Sequence, residues 1–138
     1  MRVYLYFIGK PREPHANAIA QEFIKRANRW ADCQMREIDP RRFEWSRYAG
    51  ALKVFLDPQG RQMDSAHFAQ LIERSESTAR DILFLVGGHD GIPASWKSQA
   101  DVLLSLSAMT FPHELARAML AEQIYRALAS LRGHPYPR

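Results

Sequence analysis

The chain has 138 residues, of which 46% are hydrophobic and 25% charged, with a formal net charge of +4. That length and composition fit an ordinary globular protein, so residues 1–138 are read as one domain. No apolar run reaches the roughly 20 residues of a membrane helix, the opening segment meets a glycine too early for a signal peptide, and the lone Cys33 excludes an internal disulfide or a multi-cysteine metal site, so a cytoplasmic protein without membrane or metal is expected.

In chain order, Arg2–Ile8 is rich in aromatic and β-branched residues and predicts a strand. Residues 16–31 predict a helix whose apolar face carries Ile19, Phe23, Ala27 and Trp30. A second strand is expected over 34–38, then an irregular loop over 40–50 and a strand over 51–56. Asp64 or Ser65 suits the cap of a helix that buries Phe68, Leu71 and Ile72. Ile82–Val86 is wholly apolar, as a strand covered on both faces should be. A short helix over 93–99, a strand over 102–106 and a long final helix follow. Pro112 fits that helix's first turn with Thr110 nearby as a cap. Leu120, Ile124, Leu128 and Leu131 form its apolar stripe, Glu122 precedes Arg126 by four, and Gly133 ends it. Strands alternating with helices imply an α/β fold with a mainly parallel sheet.

Two groups of basic residues stand out. Lys25, Arg26 and Arg29 share the first helix, and Arg36, Arg41, Arg42 and Arg47 are interleaved with Phe43, Trp45 and Tyr48. Cations that meet phosphates beside rings that stack on bases suit RNA; the competing reading is a solvated basic face over aromatics in the core. The strand ends offer a ligand site. Gly87, Gly88 and Gly91 follow one apolar run, and the small hydroxylic stretch from Ser105 to Thr110 follows another. Two such ends in one parallel sheet predict a pocket at its carboxyl edge. There is neither a G-x-G-x-x-G after the first strand nor a phosphate-cradling G-x-x-x-x-G-K-[ST], and Ser105 and Ser107 lack a G-x-S-x-G setting. His15, His67 and His89 lack metal-ligand spacing, and His113 at a helix start reads first as a structural residue.

The order GG-x-x-G, then SLSAMTFPH-x-LxR and EQ-x-YRA, then HPY-x-R resembles the RlmH family, SPOUT-class methyltransferases that modify a pseudouridine of large-subunit (23S) ribosomal RNA. Ile8-Gly9-Lys10 and the Leu56-Asp57-x-x-Gly60 pattern extend the resemblance to the amino-terminal half. It implies a SPOUT-type three-layer sandwich with a trefoil knot near the carboxyl end, a homodimer, S-adenosylmethionine as cofactor and the ribosome as substrate. Carried over by position, Leu56, Gly88, Ser107, Ala108, Met109, Thr110, Phe111 and Pro112 would bind the cofactor. His134, Tyr136 and Arg138 of the tail would serve the acceptor base, where a proton must leave N3. Three departures mark this chain: the loop over 40–50 is short, His89 and Asp90 stand inside the glycine loop, and Pro137 replaces an expected histidine. That last change leaves open a ribosome-binding relative with impaired catalysis, or a methyltransferase for another acceptor.

Overall fold

The computed structural model describes residues 1–136; Pro137 and Arg138 lie outside the described residues. The chain runs β1 (Arg2–Ile8), α1 (Pro14–Ala27), β2 (Asp32–Ile38), β3 (Leu52–Gln62), α2 (Ser65–Ser77), β4 (Ile82–Val86), β5 (Val102–Ser105) and α3 (His113–Leu131). Short 3-10 helices, Trp45–Tyr48 and Ala94–Gln99, sit in the β2–β3 and β4–β5 connections. The five strands form one sheet in the order β2-β1-β4-β3-β5, and every pairing is parallel.

That order decides what covers each face. The crossovers β1-α1-β2 and β3-α2-β4 step in the same direction along the sheet, so right-handed connections place both helices on one face. The links β2 to β3 and β4 to β5 step the other way and cross the opposite face. On the helical face, Val3, Leu5, Phe7, Val54, Ile82, Phe84 and Val86 meet α1, α2 and α3. The other face presents Tyr4, Tyr6, Phe55, Leu83 and Leu85 to Phe43, Trp45, Tyr48 and Trp96. α-Helices therefore cover one face, and an aromatic loop layer supplies the third layer that the sequence reading expected. It also decides how the aromatics of the β2–β3 loop are used: their rings pack on the sheet while Arg41 and Arg47 stay exposed.

Several expected boundaries shift for physical reasons. α1 starts at Pro14, with the Glu13 carboxylate accepting the Ala16 N–H, and it ends early because Asn28 pairs both backbone polar groups of Cys33. Its buried face is Ala16, Ala20, Ile24 and Ala27, leaving Ile19 49% exposed. Small side chains let α1 approach α3, which contributes its own buried Ala118, Ala121 and Ala127. Asp64 is the α2 cap, accepting the His67 N–H at 2.8 Å. Thr110 caps nothing, because Pro112 holds the position before α3 and makes no side-chain cap bond. Gly133, with φ +70°, closes α3: its N–H reaches Ser130 O and that of His134 reaches Ala129 O.

Candidate functional site

The carboxyl ends of β3, β4 and β5 and the first turn of α3 enclose a cavity of about 500 Å³. Three short segments wall it. The first is Leu56-Asp57-Pro58-Gln59, an excursion within β3: Leu56 and Arg61 both pair with Leu104, so the residues between them leave the ladder. The second is the glycine turn after β4, closed by the Gly91 N–H on Gly88 O at 3.0 Å and by an antiparallel bridge between these two residues. The third is the chain after β5. Two serine hydroxyls bond within the segment, Ser105 Oγ donating to Ser107 O at 2.8 Å and Ser107 Oγ accepting the Met109 N–H at 3.0 Å. Charge is sparse here: Asp57, Asp90 and Lys97 line the cavity, and Asp57 and Lys97 pair at 3.6 Å. Backbone, small residues and apolar side chains supply the rest, a lining suited to a flat heterocycle and a thioether rather than to a polyphosphate.

Of the residues the sequence picked for this site, Leu56, Gly88, Ser107, Met109, Thr110 and Phe111 do line the cavity. Ala108 and Pro112 are exposed and stand outside its wall. His113 and Ala116 join from α3. The glycines have a reason the sequence did not show. A Cβ on Gly88 would lie 2.7 Å from Ile8 O, and one on Gly87 would lie 2.7 Å from the backbone of Gly91. Gly60 is as tight, 2.6 Å from the backbone of Leu103. Bare backbone at Gly88 is required by its packing on β1, so a side chain there would push on the fold rather than into the ligand space.

The tail lies at the other end of α3. It folds back along that helix onto Glu122 and Tyr125, whereas the cavity takes only His113 and Ala116 from α3, so the two sets of contacts are about 9 Å of helix rise apart. Tyr136 stacks edge-on with Tyr125, centroids 4.7 Å apart, and donates its hydroxyl to Glu122 at 2.5 Å. Burial and the Glu122 carboxylate push its phenol up to about 12, so it stays protonated near neutrality. His134 rests on Trp30 at 5.3 Å and accepts the Tyr136 N–H on Nδ1 at 3.2 Å. The groove beside this cluster is lined by Glu22, Lys25, Arg26, Arg29 and Tyr125, which puts the sequence's first basic group next to the tail. Arg138, the third catalytic candidate, lies outside the described residues.

A family model described as a predicted SPOUT methyltransferase matches residues 1–137. The ribosomal RNA large subunit methyltransferase H of Solibacter usitatus is 61% identical over 139 residues, covering 100% of both chains. The chain belongs to the RlmH family of SPOUT methyltransferases. Among solved structures, a probable methyltransferase from Bordetella pertussis has the same fold, with a TM-score of 0.64 and 15% identity over 92% of this chain and 94% of that one. The SpoU methyltransferase AviRb from Streptomyces viridochromogenes, solved in complex with AdoMet, gives a TM-score of 0.52 and 15% identity over 94% of this chain and 61% of that one.

One feature of this RlmH chain had no local sequence signal, because its partners lie about a hundred positions apart. Glu114, in the first turn of α3, accepts the backbone N–H groups of Arg12 at 2.6 Å and Glu13 at 3.2 Å and the Asn17 amide at 2.9 Å. These donors hold its carboxyl down at about 2. Beneath it, Arg117 is fully buried, donates Nη1 to Asn17 and lies 3.6 Å over the Phe7 ring. The group ties the loop after β1 to the helix that closes the cavity. The Leu115 and Met109 side chains nearby are 43% and 74% exposed.

Proposed function

We propose that this methyltransferase uses S-adenosylmethionine to methylate N3 of a pseudouridine in large-subunit (23S) ribosomal RNA, acting on the ribosome in the cytoplasm. The observation that carries the reading is the cavity at the carboxyl sheet edge, walled by main chain and apolar groups in a chain 61% identical to a ribosomal RNA large subunit methyltransferase H. Its volume is within the usual few hundred Å³ of small-molecule sites. Leu56, the Gly87–Gly88 turn and the Ser107–Phe111 stretch would hold the cofactor, whose sulfonium supplies an electrophilic methyl group. The deep knot of SPOUT proteins, threading the chain after β5 beneath the glycine turn, would bring these segments together.

The chain's own residues would then position the acceptor and exclude water, since in-line displacement depends on alignment more than on side-chain chemistry. N3 loses its proton, its electron pair forms the bond to carbon, and the carbon–sulfur pair leaves with the thioether. Negative charge that develops on the flanking carbonyls calls for a cation and a neutral donor, the roles proposed for Arg138 and Tyr136. His134 is the remaining candidate for proton transfer. The described contacts of the tail, on Trp30, Glu122 and Tyr125, include no residue that lines its own cavity, and a dimer would bring the tail to a partner's cavity instead. Exposed Ile19, Met109 and Leu115 support a homodimer in which each tail reaches the partner's cavity.

The test is twofold. Calorimetry should show S-adenosylmethionine binding that Ala116→Phe, a substitution filling the cavity from a helix face, weakens at least tenfold. Labelled methyl should pass to the 23S rRNA of ribosomes from cells that lack the modification. Cofactor binding without transfer would make this chain an impaired ribosome-binding relative, the outcome Pro137 leaves open.

A further inference from the structure

Resting on the rRNA reading above, we propose that the loop between β1 and α1, residues 9–13, is a phosphate grip at the rim of the cavity, with Lys10 and Arg12 as its two cations. One end of the loop lies against the wall residue Gly88, and the other is bonded to Glu114, which adjoins the wall residue His113. Gly9, at φ +94°, lies against the glycine turn, the position of its Cβ being 3.9 Å from the Gly88 Cα. The Arg12 amide is bonded to Glu114, one residue after the cavity-lining His113. Lys10 and Pro11 therefore run between the glycine turn and the helix, next to the cavity wall.

Lys10 and Arg12 are both exposed. Neither enters an ion pair among the described residues, in contrast to Arg26, Arg41, Arg47, Lys97, Arg126 and Arg132. The neighbouring carboxylates are already engaged: Glu13 accepts the Ala16 N–H, and Glu114 holds three donors with Arg117 at 3.9 Å. A hydrogen bond leaves a carboxylate charged, so Lys10, Arg12 and Arg117 against Glu13 and Glu114 leave one net positive charge here. The backbone that carries Lys10 and Arg12 is fixed by Pro11 and Pro14 and by the Glu114 bonds, so little ordering is left for binding. The ligand such a grip fits is the backbone of the strand whose base enters the cavity. Its flanking phosphates would stay outside the pocket, where long cationic side chains can meet them. Contacts of this kind set affinity and salt dependence and leave base identity to the cavity.

The experiment compares parent, Lys10→Ala, Arg12→Ala and the double variant in methyl transfer to unmodified ribosomes at several salt concentrations, alongside calorimetry with S-adenosylmethionine. Each single variant should raise the KM for ribosomes several-fold. The slope of log KM against log salt should fall by about one per cation removed, and cofactor affinity should stay at the parental value. A parental KM and salt slope in the double variant overturn the proposal while the rRNA reading stands. Loss of cofactor affinity instead would assign these cations to the cofactor's own carboxylate and overturns it as well. A parent that neither binds nor methylates these ribosomes overturns the rRNA reading, and the grip with it.

Discussion

At the scale of single residues, Glu114 is the most sharply defined group in the molecule. Its carboxyl is held at about 2 by two backbone amides and Asn17, against an ordinary 4.5. A depressed acid stabilises the fold fully above its unfolded value, and that contribution is lost as pH falls toward the folded one. Denaturant unfolding of parent and Glu114→Gln should therefore differ most above about pH 5 and converge as pH approaches 2; a gap that does not change with pH would refute the assignment. Cys33 is the converse case, a thiol that burial pushes up to about 12. Alkylation at pH 8 should be slow in the native protein and rapid after unfolding, and fast native labelling would show that β2 opens. The pocket was legible in strand ends rich in glycine and small hydroxylic residues, whereas its individual residues came from the family resemblance, and two of them, Ala108 and Pro112, stand outside the wall. The reason for Gly88 was not legible, since its neighbour Ile8 lies 80 positions away and only the folded sheet brings them together. Gly88→Val should accordingly lower the melting temperature and not merely the cofactor affinity. An intact melting point with lost binding would show instead that a side chain at Gly88 intrudes on the ligand space.

At the scale of elements, local pattern carried most of the fold. Ile82–Val86 reads as a strand because all five side chains are buried, and α3 announces itself by its stripe and terminal glycine. What escaped was set by tertiary contacts. α1 turns its alanines inward because α3 must come close, whereas size alone would have chosen Ile19 and Phe23. β3 runs past its expected end because Arg61 and Gln62 return to pair with β5 after the Asp57–Gly60 excursion. Even so, the central helix pair should behave as ordinary core. Ile124, fully buried, should cost about 2–5 kcal/mol on truncation to Ala, read as a lower denaturation midpoint at unchanged slope. A loss under about 1 kcal/mol would mean that α3 packs more loosely than these contacts require. The tail is also more tightly held than an exposed terminus. Tyr136 packs on Tyr125, so removing residues 133–138 should lower stability by roughly 1 kcal/mol while leaving the sheet intact.

At the scale of the whole molecule, the decisive fact is a separation. The cavity takes His113 and Ala116 from the start of α3, whereas the tail packs on Glu122, Tyr125 and Trp30. On the proposed function these are two half-sites, joined across a dimer. Mixing two disabled proteins tests this directly: Ala116→Phe, with a blocked cavity and an intact tail, and Tyr136→Ala/Arg138→Ala, with an open cavity and a disabled tail. Each should fail alone to methylate unmodified ribosomes. After unfolding and refolding together in equal amounts, about half of the dimers should be mixed by random pairing, each with one complete site. The account predicts that methyl transfer reappears at roughly a quarter of the parental activity, one working site in four. A refolded mixture as inactive as its two components would contradict a site shared between subunits.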